Sequence, residues 1–184
     1  ERKSEKELIE KLGGPIDFNA HRFLQEKVDD FDNSITWTKT LYSENKYPTD
    51  NEAFRFYDDP KISATLGIRC TKYANNTREY ALEFNPPISI SYEGARFLKV
   101  EMKWDDMQPE NEYLSPELFS WHMGGTFSNA EYLIKKLDKH ERLKIRYKAS
   151  TGKGNQIVEF SLIKQEKYNL DISKLIAKCS GAEN

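Results

Sequence analysis

The cysteines and histidines of this sequence are few, so their spacing decides what thiol, imidazole or metal chemistry remains open. Two cysteines, Cys70 and Cys179, stand about 110 residues apart. A bridge between them would stabilise the fold by roughly 4 to 5 kcal/mol on the chain-entropy estimate. The alternative is a pair of separate buried thiols in a reducing compartment. Neither cysteine has a second ligand at zinc-site spacing, and no metal or other cofactor is expected. The histidines are His21, His122 and His140, none of them in a recognisable catalytic motif. His140 ends a helical stripe, where the dipole favours a cation, and reads as a surface residue. The acid pairs Asp29-Asp30, Asp58-Asp59 and Asp105-Asp106 lack the alternating oxygen ligands of a calcium loop and read as turn formers. A hydrolase built from this inventory would combine Asp58, Asp59, Asp105 or Asp106 with His122. Phosphate-loop, dinucleotide and nucleophile-elbow motifs are absent from the sequence.

The most specific polar feature is the run Arg142-Leu143-Lys144-Ile145-Arg146-Tyr147-Lys148. In a strand, period two sends Arg142, Lys144, Arg146 and Lys148 to one face and Leu143, Ile145 and Tyr147 to the other. Lys153, in the following turn, extends this basic ribbon. Such a face suits an acidic protein partner or an anionic membrane surface. It equally describes a solvated strand protected by lysines. Nucleic acid is not expected, because the aromatic Tyr147 points away from the cations. No small-molecule substrate is evident.

The elements that must position these residues follow from periodicity. The opening stretch to Pro15 reads as a helix, with Ser4 and Glu7 at capping-box spacing, and Asn19 could cap a second carrying Ala20, Phe23, Leu24 and Val28. Strands are expected over Ile35 to Tyr42, Ile62 to Cys70, Arg78 to Phe84, Ile88 to Tyr92 and Ala95 to Trp104. Residues 43 to 61 and 105 to 116 read as long polar loops. A short aromatic run, Phe119, Trp121 and Met123, ends at Gly124 and Gly125. Ser128 and Glu131 open a helix over residues 129 to 140, with Ala130, Leu133, Ile134 and Leu137 on one stripe. A hairpin joins Arg142 to Lys148 with Gln156 to Ile163. The last helix carries Ile172, Leu175 and Ile176 and ends near Cys179. The three tryptophans, Trp37, Trp104 and Trp121, are read as core residues.

Composition agrees with one main core. The 184 residues are 38% hydrophobic and 32% charged, and 10 Phe, 10 Tyr and 3 Trp exclude a disordered chain. No apolar run is long enough for a membrane helix. The net charge is only −2, but residues 131 to 178 hold 12 basic against 6 acidic groups. The two parts of the chain therefore form a modest charge dipole.

The order Trp37, Leu66-Gly67-Ile68-Arg69-Cys70, Val100 to Asp106, Trp121, Leu133-Ile134 to Leu137, Arg142 to Arg146, Phe160-Ser161-Leu162 and Cys179 resembles the envelope proteins typified by the type VI secretion-associated VasI group. It is more distantly similar to the invasion-associated IalB group. The resemblance spans residues 37 to 179. It implies a small exported β-sandwich, an oxidising compartment and a Cys70–Cys179 bridge, with no catalytic residues to carry over. The segment Asn19 to Asp32 and the end after Cys179 both depart from the VasI pattern.

The expected architecture is α+β: a mainly antiparallel β-sandwich or curved sheet of about seven strands, one helix before the final hairpin and helices at both termini. Residues 1–34 form an N-terminal helical segment, 35–179 the β-rich domain and 180–184 a tail. The expected function is that of a non-enzymatic accessory protein, encoded in a mobile element or secretion locus, that binds another macromolecule. Its expected place is the periplasm or another exported location, any leader or lipid anchor preceding Glu1. The competing readings are the His122 hydrolase and a cytoplasmic nucleic-acid-associated protein using the basic strand.

Overall fold

In the computed structural model, residues 24–119, 122–150, 152–162 and 170–181 are described. The expected helix ahead of Pro15, together with His21 and Trp121, lies outside them. Alternation along the chain produces nine strands: β1 (Gln25–Val28), β2 (Ile35–Pro48), β3 (Lys61–Lys72), β4 (Arg78–Asn85), β5 (Leu98–Trp104), β6 (Glu110–Phe119), β7 (His122–Phe127), β8 (Arg142–Lys148) and β9 (Asn155–Ser161). Two helices accompany them, α1 (Ala130–Lys139) before the final hairpin and α2 (Leu170–Ser180) after it. All nine strands form one sheet in the order β1-β2-β3-β4-β7-β6-β5-β8-β9. The named strand pairs are antiparallel.

The sheet curls into a half-barrel. Its curvature brings edge strand β9 back to β2, where Glu159 N donates to the Tyr47 hydroxyl at 3.0 Å. One face of each strand therefore lines a shared interior. Trp37 and Leu41, Ala64 to Cys70 at every second residue, Val100 to Trp104 at every second residue, and Leu143, Ile145 and Tyr147 are all buried. The helices fill this concave side. Leu133, Ile134 and Leu137 of α1 and Ile172 and Leu175 of α2 are essentially inaccessible to water. Each such side chain stabilises the fold by about 2 kcal/mol relative to exposure.

The C-terminal end of α2 is tied to the sheet three times. Cys179 forms a disulfide with Cys70 of β3, the two Cα atoms 6.2 Å apart. The Arg78 guanidinium of β4 donates to the carbonyl of Cys179 and, at 3.0 Å, to that of Ser180. Gly181 then takes the left-handed φ of +74° that commonly ends a helix. Arg78 thus satisfies carbonyls that the helix itself leaves open. The structure therefore settles the cysteine question in favour of the bridge.

Several expectations are corrected. The described residues hold nine strands where about seven were expected, and both polar stretches read as loops contain strand. In the first, β2 continues to Pro48 through a bulge between Tyr42 and Lys46. There Ser43 Oγ accepts from Ala64 N at 2.9 Å and donates to the Asn45 carbonyl at 2.7 Å, so a polar side chain carries the ladder where the apolar period breaks. In the second, β6 begins at Glu110, whose carboxylate faces the helix side and holds Lys136 of α1 at 2.8 Å. An ion pair there takes the position an apolar residue would signal. Residues Gln25–Val28 are strand instead of the end of a helix, paired with Ile35 to Thr38 and anchored by Trp37 Nε1 donating to Glu26 at 2.6 Å. Ile88 to Tyr92 shrinks to a single bridge between Ile90 and Ala149.

Gly124 and Gly125 lie inside β7 and do not end the run. A Cβ on Gly124 would sit 2.2 Å from the Phe84 carbonyl oxygen and 2.9 Å from the Phe119 ring. Strands β4 and β7 can approach only because that atom is missing.

Two measurements check this architecture. Reduction, or Cys70→Ser with Cys179→Ser, is expected to cost up to roughly 4 kcal/mol and lower Tm by roughly 10 °C, read by calorimetry with and without reductant. Gly124→Ala is expected to cost about 3 kcal/mol in urea unfolding, since the clash is with backbone and cannot rotate away.

Candidate functional site

Strand β8 is laid out as its alternation requires. Leu143, Ile145 and Tyr147 enter the core, while Arg142, Lys144, Arg146 and Lys148 occupy the outer face. The topology adds what the run alone does not show, its neighbours. Strand β5 lies on one side, with Glu101 opposite Arg146 and Lys103 opposite Lys144. Strand β9 lies on the other, with Glu159 opposite Lys144 and Ile157 opposite Arg146.

Three of the four cations meet carboxylates on this face. Arg146 Nε is 2.5 Å from Glu101, Arg142 Nε is 3.0 Å from Glu159, and Lys148 Nζ is 3.0 Å from Glu93. The hydrogen bond from Arg146 holds the Glu101 carboxyl below its ordinary range, and that from Lys148 does the same for Glu93. These are exposed pairs, each contributing little to stability. Glu159 is engaged by Arg142, so Lys144 and Lys103 face each other with no carboxylate of the described residues within ion-pair distance of either. Like charges directly opposite on one face are mutually destabilising. Lys99, exposed at the far end of β5, and Lys153, exposed in the turn between β8 and β9, widen the patch. Counting these, the face carries seven cations against Glu93, Glu101 and Glu159. Lys99 and Lys103 were missed in the sequence because nothing in it says that β5 lies beside β8. Their alternation with Val100 and Met102 was the available signal.

The carboxylate–histidine combination expected of a hydrolase is not assembled. Asp58 and Asp59 are exposed in the loop between β2 and β3. Asp105 serves the C-terminal end of α1, accepting from the backbone of Glu141 at 3.0 Å and Arg142 at 2.9 Å and meeting His140 Nδ1 at 2.8 Å. His140 is accordingly no plain surface residue: it packs on Trp104 with ring centroids 5.3 Å apart. Burial alone would raise the Asp105 carboxyl, yet the hydrogen bonds from His140, Glu141 and Arg142 outweigh it and leave it below its usual value. Asp106 is exposed beside it. None of the four acids contacts His122.

His122 is fully buried. Its Nε2–H donates to the Pro86 carbonyl, an acceptor only, so Nδ1 is the free acceptor of the neutral ring and takes the Ser89 hydroxyl at 3.2 Å. Ser89 Oγ in turn accepts from Met123 N at 3.0 Å, and Asp50 Oδ1 accepts from Ser89 N at 3.1 Å. Asp50 stands 3.6 Å from the ring. The group pins the 86–91 crossover between β7 and the end of β8, where Ile90 N donates to Met123 O and Ser91 N to Lys148 O. Among the described residues no cluster of His, Cys, Asp or Glu could hold a metal ion, and no helix is long and apolar enough to cross a membrane.

Comparison with known proteins adds little. No protein-family model matches the chain, and no curated protein matches it. The grouping with VasI proteins thus has no support from sequence comparison. Among solved structures, the crystal structure of invasion associated protein b from Bartonella henselae is similar at 10% identity and a TM-score of 0.41, over 85% of this chain and 93% of that one.

Burial lowers the His122 pKa below its ordinary value, with the Pro86 carbonyl and Asp50 opposing the shift. The unfolded chain then binds the proton more readily, so this contribution to stability is complete above about pH 6.5 and is lost as pH falls. Unfolding free energy is expected to fall by up to about 1.4 kcal/mol per pH unit from this residue below pH 6.5. Denaturant melts from pH 7 to 5 check it, and His122→Gln should flatten the slope.

Proposed function

We propose that this chain is a non-enzymatic, exported accessory protein that docks an acidic protein partner on the outer face of β5, β8 and β9. The exported location is supported by the Cys70–Cys179 bridge, which belongs to oxidising compartments and would be reduced by the cytosolic thiol pool. The docking surface is supported above all by Lys103 and Lys144, placed opposite each other without an anion between them. A face selected only for stability would put opposite charges there. The surrounding ion pairs leave a net positive patch around them. Carboxylates of the partner would insert between Lys103 and Lys144 and relieve their repulsion. Electrostatic attraction of this kind mainly raises the association rate and the salt dependence of binding.

Lys103→Glu separates a binding face from a merely solvated one. It creates a cross-strand pair with Lys144, so the fold is expected to gain a few tenths of a kcal/mol. Capture of an oligoglutamate peptide is expected to weaken by about tenfold, measured by titration at low salt. A variant that binds this peptide as well as the parent would overturn the proposal. Stronger retention on a short DNA duplex or on anionic vesicles would do the same.

A further inference from the structure

The turn between β1 and β2 reads Asp29-Asp30-Phe31-Asp32-Asn33, and its Phe31 is 95% exposed, more than any other large hydrophobic side chain of the described residues. Four hydrogen bonds set the shape of this turn. Asp29 N donates to the Ser34 carbonyl and Asn33 N to the Asp29 carbonyl, both at 2.9 Å. The Asp29 and Asp32 carboxylates accept from Phe31 N and Ser34 N, both at 2.8 Å. Asn33 takes the left-handed φ of +58° that asparagine tolerates. Phe31 supplies only its amide to this arrangement, so the fold makes no use of its ring.

The turn is also acidic. Residues 25 to 34 hold Glu26, Asp29, Asp30 and Asp32 against Lys27 alone. Glu26 accepts from Trp37 and lies 3.9 Å from Lys178. The three aspartates have no cation of the described residues within ion-pair distance. An exposed ring set among such carboxylates is the complement of a cationic face that has an apolar neighbour.

The outer face of β5, β8 and β9 is a surface of that kind. Lys103 and Lys144 stand opposite each other. Ile157 of β9, 53% exposed, lies opposite Arg146 and so diagonally from Lys144, about 7 Å away. Asp30 and Phe31 are adjacent in the chain and present a carboxylate and a ring over a comparable distance. The chain's own turn does not reach this face, since the Phe31 ring is almost bare and the aspartates are unpaired. A second copy is under no such restriction, and the net charge of −2 opposes its approach only weakly.

We propose, resting on the reading of the β5–β8–β9 face as a docking surface, that its acidic partner is a second copy of this chain, whose β1–β2 turn seats Asp30 between Lys103 and Lys144 and Phe31 on Ile157. Turn and face are different surfaces, so the contact is head-to-tail. A turn tip buries less than the roughly 1,200 Å² of a standard interface, so the association is weak.

The experiment is sedimentation velocity of the full, oxidised chain from about 10 to 500 μM. At about 20 mM salt the weight-average mass is expected to rise above 21.5 kDa with a dissociation constant of about 100 μM, and to return to that mass at about 0.5 M salt. Phe31→Ser and Asp30→Lys leave the four turn bonds in place and should each weaken association by about tenfold. Chains carrying Phe31→Ser and chains carrying Lys103→Glu should each self-associate poorly yet form a 1:1 pair when mixed, the turn of the second on the face of the first. A monomer at every concentration, association that survives Phe31→Ser and Asp30→Lys, or no pair in the mixture overturns the self-contact. If oligoglutamate is still captured in those cases, the docking face stands with a different acidic partner; if it is not, both readings fall.

Discussion

A sheet that curls has a concave side that must be covered, and here the cover depends on how α2 is attached. The sheet supplies the buried side chains, but α2 reaches the chain only after residues 163–169, and its return to β3 is a contact of long sequence separation. The Cys70–Cys179 bond converts that contact into a covalent one. It restricts the unfolded chain across more than half its length, which is where most of its stabilising effect resides. Arg78 adds the polar complement by satisfying the carbonyls at the same helix end. The lower end of α1 is held in a comparable way through Asp105, His140 and Trp104.

With the inside committed to packing, chemistry is left to the outside. There the sheet behaves as two surfaces. The β5–β8–β9 part is cationic, built of long side chains that interlock with scattered carboxylates. The β1–β4 part is rich in hydroxyls and bounded by rigid turns. His122 belongs to the other category: its ring is a fastening for the crossover, and burial keeps it neutral.

The helices and the apolar strands were legible because their periods are local. The stripe Leu133, Ile134, Leu137 and the alternation from Ile62 to Cys70 each state which face is buried without reference to any other part of the chain. The failures have a common cause in polar residues that do structural work through distant partners. Glu110 hides the start of β6 because its neutralising lysine is on α1, and Ser43 hides the continuation of β2 because it substitutes for a ladder bond. Glycines 124 and 125 look like a break, yet they are the condition for three strands to approach.

The amino-acid sequence by itself determined the α+β class, the two-faced character of β8 and the small stock of cysteines and histidines, all of which follow from residue type and short-range spacing. Tertiary structure alone decided that the two sulfurs bond, that β5 lies beside β8 and sets Lys103 against Lys144, and that His122 meets Ser89 and Asp50 and none of the expected acids. Those are pairings between residues tens of positions apart. Strand order sets them, and strand order arises from the curl of the whole sheet around its core, which no local pattern encodes.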